Sequence, residues 1–397
     1  MGDGLSDNIS DASKFLILNY EPGEIAFCEQ EIGAAPSHTM EVAESTYRPK
    51  FTLLEGARLY KELYKRVQAA QLFERSYMFY ALHALCVFMA MTIIGYFLVV
   101  TTSTILFSVL AVALAMCLTQ LGGYMHDAAH TMVLKTKVMN DVAGTICSLF
   151  VFMNYNAWNI KHSAHHAHPN QEGHDPDIDV PLFSFTRKRY VSKMGVARVL
   201  RRYQAYIYFP LTFLVVYSFQ FRNNIEYFIQ ELRKGLRPSI FGEMLLYAGG
   251  FFLWYVLPFL VFDLSKALLF ITIVPLMAGF YIASVFAPNH KGMPELDRNT
   301  RLSFLEHQII TSRNIADNWF TDFVYLSLNY QIEHHLFPNC PRNKLKLMTP
   351  YVKELCHTHG LPFTVVRLRE SFRVILNGLS SVVREAEHAR VFTNEEQ

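Results

Sequence analysis

The stretch "YMFYALHALCVFMAMTIIGYFLVVTTSTILFSVLAVALAMCLTQLGGYMHDAAH", residues 77–130, decides the fold. From Ser76 to His126 it holds no Asp, Glu, Lys or Arg, more than twice the ~20 apolar residues that one membrane span needs. The polar cluster at 101–104 divides it, predicting two spans at about 77–99 and 104–125 joined by a tight turn. Four further apolar stretches follow at 142–158, 203–221, 244–262 and 267–288. Basic residues flank the first two at both ends: Lys135, Lys137 and Lys161 around one, Arg198, Arg201, Arg202, Arg222, Arg233, Lys234 and Arg237 around the other. Basic residues mark the cytoplasmic side, so a crossing segment rarely carries them at both ends. These two stretches therefore read as re-entrant or interfacial. The last two, separated by "DLSK", read as a second hairpin. The expectation is an all-α polytopic membrane protein with four crossings in two hairpins. The N-terminus, the 126–242 region and the 289–397 tail then share the cytosolic side.

The chain has 397 residues, 51% hydrophobic and 18% charged, with a net charge of +2. That composition gives no argument for a nucleic-acid partner. The six cysteines, Cys28, Cys86, Cys117, Cys147, Cys340 and Cys356, show no metal-binding spacing and read as reduced thiols. Residues 1–50 read as weakly structured, without the basic and apolar regions of a signal peptide. "MGDGLS" is a loose match to an N-myristoylation motif. Residues 51–75 read as an amphipathic surface helix, 51–370 as the main domain and 371–397 as a tail.

Sixteen histidines are unevenly placed. "HDAAH" puts His126 and His130 at i, i+4, at the end of the second span. "HSAHH" supplies His162, His165 and His166. "QIEHH" supplies Gln331, His334 and His335 at the same offsets. Residues three and four apart share a helix face, whereas neighbours diverge by about 100°. Adjacent histidines therefore suit two metals rather than one. "FAPNHKG" adds His290 at the exit of the fourth span, beside Asn289. Imidazole ligation without thiolates disfavours structural zinc and iron–sulfur sites. Two redox metals beside a lipid-facing cavity suit O₂ activation against an unactivated C–H bond. HDAAH is not the zinc-protease HExxH, since Asp127 replaces the Glu. His38, His83, His307, His357, His359 and His388 read as ordinary histidines. His168 and His174, in "HAHPNQEGHDPDID", are candidates to support the ligands from behind.

These motifs resemble the three histidine boxes of the membrane fatty acid desaturases. Gln331 in the third box and "HHAHPNQEGHDPDID" are similar to the front-end, linoleoyl-CoA-type group. "FAPNHKGMP", "QIITSRNI" and "LNYQIEHHLFPNCPRNKL" resemble bacterial members without a fused cytochrome. The resemblance covers about residues 75–370. It implies a cytosolic helical cap carrying a non-haem di-iron site that uses O₂ and two electrons to place a cis double bond in an acyl chain. Carried over by position, the metal ligands are His126, His130, His162, His165, His166, His290, His334 and His335, with Gln331 as a further catalytic residue. Two departures stand out. Ala129 occupies a position where front-end members often have Gly, and Leu326-Ser327 replaces the usual Gly-Gly pair before the third box.

The expected substrate is a fatty acyl-CoA or acyl-lipid. The expected location is a bacterial inner membrane or, in a eukaryote, the endoplasmic reticulum. The chain shows no haem motif, cysteine cluster or nucleotide fingerprint. Electrons are therefore expected from a separate ferredoxin or cytochrome b5 with its NAD(P)H reductase. The run Arg187, Lys188, Arg189 and Lys193, with Arg198, Arg201 and Arg202 behind it, is a candidate dock; the alternative is that these charges hold the segment at anionic lipid. Alternatives on the same scaffold are a lipid hydroxylase and a sphingolipid desaturase; a non-enzymatic membrane metal-binding protein is a third.

Overall fold

A computed structural model describes residues 47–180 and 182–395. The expectations for residues 1–46, including the acylation motif, Cys28 and His38, lie outside the described residues. Among the described residues the protein is almost entirely helical, with one two-residue parallel pair, Asn314–Ile315 beside Val365–Val366.

Four helices are long and apolar enough to cross a membrane: Tyr77–Val100, Thr104–Ala129, Pro238–Val261 and Leu264–His290. Local sequence signals set their ends. Ser103 accepts a hydrogen bond from Leu106 N and caps the second span; Asp263 does the same for the fourth through Lys266 N. Such caps satisfy amides that the helix itself leaves bare. The short connections 101–103 and 262–263 join the spans in consecutive pairs.

Three boundaries differ from the sequence reading, and each matters. The second and fourth spans continue as helix to Ala129 and His290, past the expected ends at 125 and 288. His126 and His290 thus ride on the last turn of rigid spans. The third span starts at Pro238, not 244. It includes Glu243, whose Oε2 accepts a hydrogen bond from Asn154 Nδ2 at 2.8 Å. A lone carboxylate had hidden that turn from a hydropathy reading.

The two stretches read as re-entrant or interfacial are not continuous segments. Helix Lys137–Val151 ends at Phe152, a left-handed residue at φ 53°. Asn154 then caps a new helix, Tyr155–Ala167, accepting from Ala157 N at 2.7 Å. The 203–221 stretch is broken into Gln204–Thr212, which contains Pro210, then Val215–Tyr217 and a π-helical turn, Ser218–Asn223. It lies tight against the fourth span. A Cβ on Gly279 would come within 2.5 Å of the Phe213 carbonyl oxygen, so only glycine allows that approach.

Helix Leu53–Ala69 is amphipathic as expected and opens with a capping box between Thr52 and Glu55. Its Leu63 and Val67 pack in one core with Leu305, Ile309, Ile332, Leu336, Phe337, Met348 and Val352. This core holds the helix Gln331–Leu336 in place. Five cysteines, Cys86, Cys117, Cys147, Cys340 and Cys356, are free thiols.

Candidate metal centre

Each histidine motif sits on a helix that ends in a left-handed turn or begins after one. Thr131 follows the first motif at φ 59°, Asn170 follows the second at φ 55°, and Leu326 and Ser327 precede the third at 58° and 60°. The chain reverses sharply at each of these points. Three motifs far apart in sequence thereby meet.

The eight histidines converge as two groups. His126, His130, His162, His166 and His334 bring one nitrogen each within 4.8 Å of one another; His165, His290 and His335 form the second set. Sequence neighbours divide between them. His165 and His166 stand with ring planes at 81°, and His334 and His335 at 88°. All nine residues singled out in the sequence are in this cluster. Gln331 places its Nε2 3.0 Å from His290 Nε2, while its Oε1 accepts from Asn289 Nδ2 at 2.9 Å.

The donor set fits metal ions. His162 Nε2 lies 2.8 Å from His130 Nε2 and 3.1 Å from His166 Nε2, and His166 Nε2 lies 3.2 Å from His334 Nε2. Hydrogen bonding cannot satisfy such a crowd, because a neutral imidazole has one N–H and one lone pair. His126 Nε2 and His335 Nε2 are buried with no partner at all. Burial pushes His130, His162, His166, His334 and His335 well below the usual imidazole range, with neighbouring histidines adding to the effect. These rings are held neutral, the form that binds a metal.

A second layer orients the rings, and sequence reasoning assigned it no role. His126 Nδ1 donates to Asp127 Oδ1 at 2.9 Å, His165 Nδ1 to Asp175 Oδ2 at 3.0 Å, His290 Nδ1 to the Thr311 carbonyl at 3.0 Å, and His335 Nδ1 to Gln308 Oε1 at 2.7 Å. In each case the bond directs the opposite nitrogen toward the cluster. At His165 burial lowers the pKa, but the Asp175 carboxylate more than offsets it and the net shift is upward. Asp127 also accepts from Tyr80 OH at 3.0 Å and pairs with buried Arg342 Nε at 3.1 Å. Arg342 reaches His83 Nδ1 at 3.2 Å, so His83 belongs to a buried network rather than standing alone. Trp158 stacks on His162, with centroids 4.4 Å apart.

The supporting role expected of His168 and His174 falls to Asp175. The two histidines are exposed and face each other at 5.0 Å. His307 is buried, not an ordinary surface histidine. Its Nε2 donates to the Pro169 carbonyl at 2.8 Å, and burial pushes its pKa down to about 4.

The candidate basic dock is largely consumed within the protein. Lys188 Nζ meets Glu172 at 2.6 Å and Asp297 at 3.7 Å. Arg189 is buried against the Ile178 carbonyl and Asp179. Lys193 donates to the Val180 carbonyl at 2.8 Å, and buried Arg201 to the Tyr190 carbonyl at 2.7 Å. Arg202 lies 3.9 Å from Glu387. Mixed local charges fold this run onto its own loop.

A small apolar cavity of about 50 Å³ lies among the spans, lined in part by Leu118, Gly122, Phe150, Met153, Trp254 and Phe270. Gly122 is one helical turn from His126. Two π-helical turns, Ser218–Asn223 and Phe252–Val256, each contribute to its wall through Gln220, Trp254 and Tyr255. Such turns are frequent at functional sites.

Comparison with known proteins agrees with this geometry. The family model described as fatty acid desaturase matches residues 103–367. The chain is 28% identical to the Delta(8)-fatty-acid desaturase of Euglena gracilis, over 85% of this chain and 82% of that protein. It is 30% identical to the acyl-lipid (9-3)-desaturase of Physcomitrium patens, over 74% of this chain but 56% of the relative. A similar 30% holds for the Delta(5) fatty acid desaturase fat-4 of Caenorhabditis elegans, over 64% and 59%. The chain thus spans less than two thirds of the length of the latter two relatives. It belongs to the fatty acid desaturase family.

Proposed function

From membership of that family, we propose that this protein is a membrane desaturase that places a cis double bond in a fatty acyl chain. The observation that carries the reading is the division of eight clustered histidines into two groups, with an apolar cavity that reaches Gly122, one helical turn from His126. His126, His130, His162, His166 and His334 would hold one iron, and His165, His290 and His335 the other, with Gln331 at the second. Two irons held there supply O₂ binding and the oxidising power to break an unactivated C–H bond.

The chain's own residues do the rest. Asp127, Asp175, Gln308 and the Thr311 carbonyl fix the ring orientations. The apolar cavity takes the acyl chain. Its volume is of the order of one water's ~30 Å³ share of liquid, so binding must part its side chains. The flexible Met153 and the π-turn residues Gln220 and Trp254 are placed to give way. The reaction consumes one O₂, two electrons and two protons with the –CH₂–CH₂– unit, and yields –CH=CH– and two waters. Two of the four electrons that reduce O₂ come from the substrate and two from a separate carrier protein, a ferredoxin or cytochrome b5.

The spans form two hairpins, and the helices that bear the ligands form a cytosolic cap, as the flanking basic residues favour. The relatives' names carry different double-bond positions at near-equal identity, so position and head group do not transfer. The test is gas chromatography–mass spectrometry of fatty acids from an expressing host, with double bonds derivatised. A new cis double bond that is absent with a His334→Ala control supports the reading. New hydroxyl groups instead would make the protein a hydroxylase on the same scaffold.

A further inference from the structure

An open basin of about 620 Å³ lies one side chain, Gln308, away from the second histidine group. Its lining includes Gln308, whose Oε1 accepts from His335 Nδ1 at 2.7 Å and whose Nε2 donates to the His166 carbonyl at 3.1 Å. One fully buried side chain therefore touches both groups of proposed ligands and lies at the floor of the basin. The rim carries Arg298 and Arg301, both exposed and neither in an ion pair among the described residues. The neighbouring carboxylates Glu172 and Asp297 are taken by Lys188. His168 and His174 lie on the same rim, and among the described residues no carboxylate lines the basin. Leu53 and Phe304, 57% and 43% exposed, add an apolar lip.

We propose that this basin is the docking site of an acidic one-electron carrier protein and that its floor at Gln308 is where electrons pass to the metal centre. The inference rests on the desaturase reading, which requires two electrons from outside per double bond. Each docking oxidises one carrier by one electron, so two dockings serve one turnover. Tunnelling falls off exponentially with distance, and Gln308 gives a route from the open basin to His335 through a single side chain. Unpaired arginines around a concavity favour an acidic partner, and apolar lips with a cationic rim suit a transient interface. A phosphate-bearing head group of the substrate fits the charge but not the placement. The apolar cavity reaches the first group only through Gly122, one helical turn from His126, whereas the basin reaches His335 of the second through Gln308.

The test uses the full-length protein in nanodiscs with whichever carrier supports turnover, a [2Fe–2S] ferredoxin or the haem domain of cytochrome b5. Carrier affinity is measured by biolayer interferometry and carrier KM by turnover. The double variant Arg298→Glu/Arg301→Glu is expected to weaken affinity and raise carrier KM at least tenfold, with iron content and acyl-substrate KM unchanged. The matched variant Arg187→Glu/Arg198→Glu, at two exposed arginines of the other basic run, is expected to change either value less than threefold. Unchanged carrier affinity in the first variant, or a raised acyl-substrate KM with carrier binding intact, overturns the proposal. Chemical pre-reduction followed by one pulse of O₂ separates this from the function itself. Product from that pulse in both wild type and variant leaves the desaturase reading standing whatever the docking result, and no product from wild type defeats the reading.

Discussion

His334 and His335 are consecutive in sequence, yet their ring centroids lie 5.9 Å apart with planes at 88°, and they serve different histidine groups. The same holds for His165 and His166 at 5.8 Å and 81°. A single metal has no use for both members of such a pair. The helical step of about 100° per residue turns an HH dipeptide into a bridge between two sites.

Ring orientation is the first consequence to test. Asp175→Asn keeps the size of the side chain but weakens the acceptor of His165 Nδ1–H. Iron affinity or activity is expected to fall about 10- to 100-fold, with the protein still folded. Asp127→Asn is expected to do more. It leaves buried Arg342 without its carboxylate, a loss of about 3–5 kcal/mol that thermal unfolding in detergent will register. Adding Arg342→Met should recover most of that stability without restoring iron affinity.

Backbone strain beside the third motif predicts opposite effects at neighbouring positions. Leu326 and Ser327 both hold left-handed backbone, at about 1–2 kcal/mol each for a residue with a Cβ. Ser327→Gly removes that cost and loses little packing, so Tm is expected to rise by about 2 °C. Leu326 is 7% exposed and fills the notch left by Gly123. Leu326→Gly therefore trades strain for a cavity worth about 2–5 kcal/mol, and Tm is expected to fall.

The acyl cavity has a wall that can be altered without touching a ligand. No atom outside its own helix lies within 4 Å of a Cβ built on Gly122, and Gly122 lines the cavity. Gly122→Val is expected to keep iron content at the wild-type level. It should lower turnover of long acyl chains at least fivefold, and of shorter ones less. Equal loss for all chain lengths would place the acyl chain elsewhere.

Membrane sidedness is read by cysteine labelling in sealed vesicles. Ser192, Arg369 and Thr102 are exposed and suited to it. Cysteines at 192 and 369 are expected to label from the cytosolic side and a cysteine at 102 from the opposite side. Labelling of 192 and 369 from different sides would mean that a segment between them crosses in addition to the two proposed hairpins.

Much of this protein was legible because two periodicities carry it. Charge-free length announced the long apolar helices, and i, i+3, i+4 spacing announced the histidines that cluster. The parts that were not legible depend on contacts distant in sequence. Asp127 lies inside the first motif, but only the fold shows that it joins His126 to Tyr80 and Arg342. Gln308 opens the QIITSRNI stretch, but only the fold shows that it holds His335. The run from Arg187 to Lys193 looked like a free cationic surface, since sequence shows charges and not their partners. Phe152 broke an apolar stretch that hydropathy read as continuous, because no residue preference marks an aromatic side chain as left-handed.

Iron per chain in purified protein, measured by inductively coupled plasma mass spectrometry, tests the two-group reading most directly. The wild type is expected to carry two. His165→Ala and His334→Ala are each expected to lower that figure and abolish product, while exposed His357→Ala keeps both at the wild-type level. One iron per chain in active wild-type protein, or full activity in either ligand variant, would contradict a two-metal centre built on these histidines.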